Sequence, residues 1–426
     1  MTHKCWSRLY RSTSILAIML AGTGVCSAKG FTPLFDGKST QGWIEVGGHP
    51  GQQGGYIARD GILVCPAGCW DNLFTKKQYS DFIFKFDFRL TPGANNGVGL
   101  RAPLQGDSAY MGMECQILDN SAPEFKNLLP GQYMGSLYKI APARRGALKP
   151  VGTWNHEVIT AIGRHVTVVL NHKKIVDANL NDVTDPDTLA EHPGMLRPTG
   201  HVGFLGHEPG EVDFRNIEIK DLSKPLPTNR APKGFTALFN GHNLHGWQGL
   251  VGNPITRAQM SPSALKQALR ASTTDELTHW FVQNGEITYK NPPTQNLCTV
   301  GTYGNFELQV DWKLTQHGDS GIYLRGYPQV QIWNNPLGSG GLFNNVHNNS
   351  NPMTVADNPV GQWNHFDILM VGNRVTVYLN NKLVTWNVPL GNYWKRGVPI
   401  LPTGQIELQY DQPYAFFKNI YIRRIP

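Results

Sequence analysis

The chain has 426 residues with 46 Gly, 29 Pro and 10% aromatic residues, a composition that favours strands and turns over long helices. This length allows more than one domain, each large enough to bury a full core. The formal net charge of +7 at pH 7 comes without any cluster of basic residues, which argues against nucleic acid as a partner.

Residues 1–28 have the pattern of a secretory signal peptide. A basic start precedes the apolar run 14–21, and Cys26-Ser-Ala28 offers small residues for cleavage. That run is too short to span a bilayer, which takes about 20 residues. We therefore predict a secreted or periplasmic protein whose mature form has no transmembrane segment. Cys26 also permits a lipoprotein, which is the weaker alternative because Val25 stands where a small residue is usual.

The rest of the chain contains one pattern twice. Gly30-Phe-Thr-Pro-Leu-Phe-Asp-Gly37 returns as Gly234-Phe-Thr-Ala-Leu-Phe-Asn-Gly241, and Trp154-Asn-His156 returns as Trp363-Asn-His365. The matched points lie 204 and 209 residues apart, far beyond the period of a solenoid or a propeller. We therefore predict two domains of one fold, at residues 29–222 and 234–426, joined by the proline-rich linker 223–233.

Alternation of apolar and polar residues marks the strands. One buried face is predicted for Phe82, Phe84, Phe86 and Phe88 in the first copy and for Phe306, Leu308, Val310 and Trp312 in the second. Many short strands between Gly, Pro and Asn turns predict an all-β fold of two tandem β-sandwich domains. Asn171-His-Lys173 is expected to be a hairpin tip. In the second copy, Ser261-Pro followed by helix formers up to Arg270 predicts a short surface helix.

Four cysteines follow the predicted signal peptide. Cys65 and Cys69 are close enough for a small loop disulfide in an oxidising compartment, and a metal site is the alternative. Cys115 lies in an apolar strand pattern and is expected to pack as a small hydrophobic residue.

Polar residues on one side of a predicted strand form the first candidate site. Glu114 and Gln116 alternate with Met113 and Cys115, so we expect the two polar side chains to point away from the core. Arg101 ends the preceding strand and is expected to reach the same surface. A carboxylate, an amide and a guanidinium together can bind sugar hydroxyls. The alternative is an ordinary cross-strand ion pair between Arg101 and Glu114.

The second copy keeps only part of this set. Arg325 and Gln331 match Arg101 and Gln116, but Gln329 stands where the first copy has its glutamate. A glutamine can hydrogen-bond a sugar but cannot take a proton at neutral pH. If the glutamate of the first copy is catalytic, we expect the second copy to lack that activity.

His207 is the second titratable candidate of the first copy. It lies in a turn before the final strand, where a histidine can shuttle protons. The second copy has Leu408-Gln-Tyr-Asp-Gln-Pro413 there and no histidine. The joint loss predicts one active and one modified domain. Trp333 of the second copy could stack on a sugar ring or serve as a core or rim residue.

Several motifs in order resemble one family. In the first copy these are Leu34-Phe-Asp-Gly37, Asn96-Gly-Val-Gly-Leu-Arg101, Met113-Glu-Cys-Gln-Ile-Leu-Asp119 and Phe214-Arg-Asn-Ile217. They resemble the 3-keto-disaccharide hydrolase domain. The second copy resembles a subgroup of it through Gly321-Ile-Tyr-Leu-Arg325 and Gln329-Val-Gln-Ile-Trp333. The resemblance covers nearly all of both copies and implies a concanavalin A-like (jelly-roll) sandwich for each.

The resemblance implies an enzyme that cleaves glycosidic bonds in sugars already oxidised at C3. The ketone acidifies the C2 hydrogen, so a base can remove it, the C1 substituent departs, and water adds back to give net hydrolysis. Glu114 and His207 are expected to act as base and acid, in an order that stays open. Substrate contacts are predicted from Asn96, Arg101, Gln116 and Asp119 in the first copy and from Arg325, Gln329, Gln331 and Trp333 in the second.

Cofactor and function alternatives also stay open. A divalent metal that polarises the ketone is one option, and the sequence names no ligand set for it. A non-catalytic carbohydrate-binding protein with lectin-like sandwiches is the main alternative to an enzyme. A scaffold that meets another secreted protein is the third hypothesis. The expected partner is an oligosaccharide or a 3-keto-glycoside, and the oligomeric state is not predicted.

Overall fold

The computed structural model describes residues 30–47, 55–207, 209–290, 292–345, 351–411 and 414–426. The predicted signal peptide lies outside these ranges. Among the residues within them, no helix combines the length and the apolar character that crossing a membrane requires.

The first half of the chain folds into two antiparallel sheets, which we call the first sandwich. Its strands are β1 (Thr32–Pro33), β2 (Trp43–Gly47), β3 (Ile57–Arg59), β4 (Ile62–Cys65), β5 (Asp71–Thr75), β6 (Phe82–Leu90), β7 (Asn95–Ala102), β8 (Met113–Leu118), β9 (Asn155–Ile162), β10 (His165–Leu170), β11 (Lys173–Asn179), β12 (His201–Gly206) and β13 (Val212–Asp221). The eight-stranded sheet has the order β11-β10-β9-β6-β13-β4-β3, with β1 paired to β13. The five-stranded sheet has the order β2-β5-β12-β7-β8.

The second half repeats this arrangement as the second sandwich. Its strands are β14 (Thr236–Ala237), β15 (Trp247–Gly249), β16 (Trp280–Gln283), β17 (Glu286–Tyr289), β18 (Leu297–Thr299), β19 (Asn305–Leu314), β20 (Asp319–Leu324), β21 (Tyr327–Trp333), β22 (Asn364–Val371), β23 (Arg374–Leu379), β24 (Lys382–Pro389), β25 (Glu407–Leu408) and β26 (Ala415–Ile425). Eight of them follow the order β16-β17-β26-β19-β22-β23-β24 with β14 on β26, and five follow β15-β18-β25-β20-β21. The prediction of an all-β chain with two tandem concanavalin A-like sandwiches is confirmed.

Helices are few and short. They are α1 (Ser108–Met111), α2 (Pro186–Glu191), α3 (Pro254–Ala258) and α4 (Pro262–Glu276), with 3-10 turns at Pro123–Phe125, Pro130–Gln132, Leu180–Asp182 and Pro193–Leu196. The predicted surface helix is confirmed as α4, which ends at Glu276 rather than at Arg270. Ser261 caps it by accepting a hydrogen bond from the backbone N–H of Ala264 at 3.2 Å. Ser272 of α4 donates to the carbonyl of Leu250, just after β15, at 2.7 Å.

The core of each sandwich lies between its two sheets, as the alternation predicts. All four phenylalanines of β6 are fully buried, and Phe204 of β12 stacks on Phe214 of β13 with ring centroids 4.0 Å apart. Each such ring contributes about 1.5–3 kcal/mol when it leaves water. The hairpin tip is also confirmed, because Asn171 and His172 have φ values of 47° and 66°, the left-handed pair that a tight two-residue turn needs.

The cysteines correct one expectation. Cys65 and Cys69 are free, buried thiols, so the predicted disulfide is absent. The neighbouring Cys69 thiol and burial together raise the pKa of Cys65. Cys115 is buried in the core as expected, and its thiol also donates to the Glu157 carboxylate at 3.2 Å.

A buried ion cluster joins the two sandwiches. Glu307 of β19 is fully buried and accepts from Arg164 of the first sandwich at 2.5 Å and from Arg423 of β26 at 2.8 Å. Asn381 of the β23–β24 turn reaches across as well, because its side chain donates to the carbonyl of Thr199 at 2.8 Å. The sandwiches therefore meet through specific polar contacts in addition to the linker.

Candidate active site

The candidate site lies on the five-stranded sheet of the first sandwich, on the face turned away from the core, which we call the site face. Strands β7 and β8 pair so that Gly97 is opposite Gln116 and Gly99 is opposite Glu114. A Cβ on Gly97 would lie only 2.0 Å from Oε1 of Glu114. The carboxylate therefore lies directly over the Gly97 backbone, which only glycine permits at such close approach.

Glu114 and His207 meet on this face. Nε2 of His207, directly after β12, is 3.6 Å from Oε1 of Glu114, with the two side chains 34% and 4% exposed. That carboxylate oxygen has no hydrogen-bond partner among the described residues. Burial alone would lower the pKa of His207, but the neighbouring carboxylate raises it above its usual value. The pair thus places a buried carboxyl group beside a partly exposed imidazole whose pKa is raised.

Aromatic and amide groups surround the pair. The Trp70 ring stands edge-on to His207 at 6.1 Å, and the backbone N–H of Tyr138 donates to the carbonyl of Glu114 at 2.8 Å. Gln116 donates its amide to Oδ1 of Asn95 at 2.7 Å. The bond to Asn95 fixes the orientation of the Gln116 amide, two residues along β8 from Glu114. An amide held in this way can recognise a sugar hydroxyl.

Asn95 and Tyr138 were not among the site residues predicted from the sequence. Asn95 has the same strand parity as Gly97, and it also matches Asp319 in the second copy, so the alternation could have placed it on the site face. Tyr138 gives no such signal, because it lies in a loop whose course along β8 depends on a backbone bridge between Cys115 and Leu137.

Arg101 and Arg325 do not join the site. The guanidinium of Arg101 donates twice to the carbonyl of Ser80, at 2.8 and 2.6 Å, and Arg325 donates to the carbonyl of Gly304 at 2.8 Å. Both residues have positive φ, 50° and 58°, which turns their side chains out of the strand alternation. Arg101 therefore neither reaches the sugar-binding surface expected of it nor forms the alternative ion pair with Glu114, and both arginines hold a turn of the fold.

Asn96 and Asp119 also lie apart from the pair. Asn96 is fully buried between the sheets, where its amide donates to the hydroxyl of Tyr56 at 3.0 Å. Asp119 caps a turn by accepting from the backbone N–H groups of Gly93 and Ser121, both at 2.9 Å. Burial alone would raise the pKa of Asp119, but these hydrogen bonds hold it below its usual value.

The equivalent face of the second sandwich carries amides. Gln329 donates to Oε1 of Gln331 at 3.0 Å and to Oε1 of Gln409 at 3.1 Å, and Gln331 donates to Asp319 at 2.7 Å. Asp411 occupies the place of His207 in the matching turn. The acid–base arrangement of the first sandwich is therefore not repeated at these positions.

The second sandwich also gains a carboxylate beneath its helical insertion. Glu407 pairs with Tyr323 across β25 and β20, at positions where the first sandwich has Gly203 and Gly99. Arg257 of α3 lies 3.6 Å from Oε1 of Glu407, which is 2% exposed. Burial raises the pKa of Glu407 to about 7 despite that cation. This contact anchors the insertion to the sheet.

Among the residues that the structure describes, the site face contains no complete metal centre. Glu114 and His207 are two groups of the right kind, but among the described residues no three His, Cys, Asp or Glu side chains are grouped to hold a metal ion. No chemical step is therefore assigned to a metal.

The sequence of each sandwich matches a known protein family. The model of the 3-keto-alpha-glucoside-1,2-lyase-like domain matches residues 30–220 and again residues 234–423. The chain belongs to this family in both halves. Membership identifies a carbohydrate-active protein and confirms the resemblance drawn from the motifs. The lyase-like domains are thus the two sandwiches themselves, and the Glu114–His207 pair lies in the first of them. No curated protein matches the sequence.

Solved structures similar to the chain each cover about one of the two lyase-like domains. A candidate glycosyl hydrolase of Parabacteroides distasonis is 25% identical over 45% of this chain and 99% of its own, with a TM-score of 0.37. The carbohydrate-binding module CBM66 of Bacillus subtilis is 14% identical over 44% and 100%, with a TM-score of 0.26. A Bacillus subtilis protein with a galectin-like fold is 12% identical over 43% and 90%, with a TM-score of 0.30.

Proposed function

We propose that the first sandwich cleaves the glycosidic bond of 3-keto-glycosides by elimination and that water then adds to give net hydrolysis. The observation that carries the proposal is the buried Glu114 carboxylate 3.6 Å from His207 on the site face. The family description, which names a 3-keto-glucoside lyase, supports the same chemistry. Secretion to the periplasm or beyond belongs to the proposal, on the evidence of residues 1–28.

The two side chains divide the proton transfers. Glu114 takes the C2 proton, and the C2–H electrons form an enolate with the C3 ketone. The enolate then forms the C1–C2 double bond while the C1–O bond breaks, and protonated His207 gives its proton to the departing oxygen. Water next adds to C1 and a proton returns to C2, which restores the 3-keto-sugar. Glu114 is assigned as base because its carboxylate raises the pKa of His207 and so favours the protonated imidazole that an acid requires.

Gln116 is proposed as the group that orients the sugar. Its amide is held by Asn95 and lies on the same strand as Glu114, two residues away, so both point to one ligand. The reaction needs only one base, one acid and a binding group, so a second carboxylate at glycosidase spacing is unnecessary.

The direct test is release of a chromogenic leaving group from a 3-keto-glucoside. Glu114→Gln keeps the size of the side chain and removes the base, so release is expected to fall by about 10²–10⁴-fold. Glu286→Gln makes the same chemical change on β17, outside the site face, and is expected to keep the wild-type rate. An arm with chelator measures any metal requirement. Full activity of Glu114→Gln would refute the assignment.

A further inference from the structure

A small pocket opens on the second sandwich beside its row of amides. It has a volume of about 190 Å³, and its lining includes Gln331, Trp333, Phe343, Asn344 and Asn345, all in the described part of the chain. The space would hold roughly six water molecules at ~30 Å³ each, which suits one sugar ring rather than a longer chain. Gln331 matches Gln116, so the pocket lies beside the position that corresponds to the active site of the first sandwich.

Two aromatic rings form the walls of the pocket. Trp333 and Phe343 meet edge to face with ring centroids 6.4 Å apart, and Phe343 is 39% exposed. The indole N–H of Trp333 donates to the carbonyl of Gly338 at 2.6 Å, which fixes the ring. An exposed aromatic face attracts the C–H patch of a pyranose because its π-system is electron-rich.

The polar groups of the pocket are neutral and already oriented. Gln331 is held between Gln329 and Asp319, and Asn345 donates to the carbonyl of Pro389 at 2.9 Å. None of the described residues that line the pocket carries a charge. Amides fixed in advance can bind hydroxyls at a low cost in side-chain entropy, and the absence of charge in this lining favours an uncharged ligand.

The loop that lines the pocket at Phe343 corresponds to the loop at Tyr138 in the first sandwich. The backbone N–H of Tyr138 donates to Glu114, and the backbone N–H of Phe343 donates in the same way to Gln329 at 3.1 Å. The next residues, Lys139 and Asn344, both have a φ of 56°. The second copy therefore keeps an aromatic residue at this position. It has Gln329 in place of the acid Glu114 and Asn344 in place of the cation Lys139.

We propose that this pocket is a second, non-catalytic carbohydrate site that binds one neutral, unoxidised sugar unit through Trp333, Phe343 and Gln331. Such a site would hold the protein on an intact glycan. The inference does not depend on catalysis in the first sandwich, because it concerns recognition of hydroxyls and ring faces and involves no ketone.

The test is binding of neutral glucose, galactose and mannose oligosaccharides to the full chain carrying Glu114→Gln, which prevents turnover. After a panel screen, isothermal titration of the best binder gives the affinity. Phe343→Ala is expected to weaken binding by about tenfold or more, since it removes one wall of the pocket. Phe343→Tyr keeps the ring, as Tyr138 does in the first sandwich, and is expected to stay within about threefold of the parent.

Controls separate this site from the rest of the molecule. Tyr414→Ala removes an aromatic ring of the same sandwich that is 45% exposed and lies outside the pocket lining, and it should leave the affinity unchanged. Thermal unfolding checks that each variant is folded. The proposal is overturned if no neutral oligosaccharide binds, if Phe343→Ala binds like its parent, or if Gln116→Ala abolishes binding while Phe343→Ala does not. Since substrate and readout differ, these results are independent of the 3-keto-glucoside assay.

Discussion

At the scale of single residues, the Glu114 carboxylate raises the pKa of His207. Burial pushes the pKa of His207 down and the carboxylate pushes it up, with a net rise above the usual 6.5. In Glu114→Gln the upward effects of that carboxylate are lost and only the smaller ones of Asp107 and Cys69 still oppose burial, so we expect the His207 pKa to fall. Titration of the imidazole resonances by NMR, assigned with His207→Asn, measures the change. An unchanged pKa would show that the two groups are not coupled.

The same residue sets the pH dependence of the reaction. If protonated His207 is the acid, the rate is high at pH values below its pKa in the folded protein and falls as the pH rises through that value. Because the pKa is raised, we expect the midpoint of the fall to lie above pH 6.5, the usual pKa of a histidine. The rate of 3-keto-glucoside cleavage as a function of pH measures it.

The buried carboxyl group of Glu157 makes the stability of the fold depend on pH. Burial raises its pKa to about 8 from 4.5. The unfolded chain therefore loses this proton at lower pH than the folded protein, so the free energy of unfolding falls between about pH 4.5 and 8, by at most about 1.4 kcal/mol per pH unit. Glu157→Gln is expected to remove this slope in urea unfolding at several pH values. The second sandwich has Phe366 at the matching position. An identical slope in the variant would contradict the pKa.

At the scale of elements, the alternation of apolar and polar residues predicted the strands and part of the candidate site. Glu114 and Gln116 share a face, as their parity predicts, while Met113 and Cys115 enter the core. The left-handed φ of Arg101 breaks this alternation, and the local sequence contains no pattern that predicts such a φ. The meeting of Glu114 with His207 depends on β12 lying beside β7, a long-range pairing that alternation cannot specify.

The pairing of β7 with β8 makes Gly97 a sensitive position. A Cβ there would come within 2.0 Å of the Glu114 carboxylate, so Gly97→Ala should displace that carboxylate and reduce turnover by about 10–10²-fold, as small misplacements of catalytic groups do. The rate with a 3-keto-glucoside measures the effect, and circular dichroism confirms folding.

Gly304→Ala serves as the control for that variant. Its Cβ would meet its nearest atom, the carbonyl oxygen of Pro402, at 3.5 Å, which is ordinary contact. We expect wild-type turnover from this variant. Normal activity of Gly97→Ala would mean that the observed carboxylate position is not needed.

At the scale of the whole molecule, the sequence predicted two sandwiches but gave no sign of how they meet. Arg164 and Glu307 are far apart in the chain and belong to different copies, so their pairing at 2.5 Å could not be read from either repeat. The pocket of the second sandwich could not be predicted from the sequence either. Phe343 lines it because a backbone bridge joins Val330 to Leu342, and this contact is not visible in the sequence pattern.

The buried ion cluster predicts coupled unfolding of the two sandwiches. Glu307→Gln leaves Arg164 and Arg423 without their counter-charge, at a cost of roughly 3–5 kcal/mol for a broken buried pair. Calorimetry should show a lower melting temperature or a split into two transitions. Asp221→Asn breaks the exposed Lys77–Asp221 pair and should cost no more than about 1 kcal/mol. Equal effects of the two changes would contradict the role of the cluster.

The most direct test of elimination is the hydrogen at C2. A 3-keto-glucoside is cleaved by the protein in D₂O, and the released 3-keto-sugar is examined at C2 by NMR at early times, against buffer alone and Glu114→Gln. If Glu114 removes the C2 proton and solvent later returns one, the product carries deuterium at C2 well above both controls. Product that is released at the full rate with its original C2 hydrogen would show direct hydrolysis and contradict the proposed mechanism.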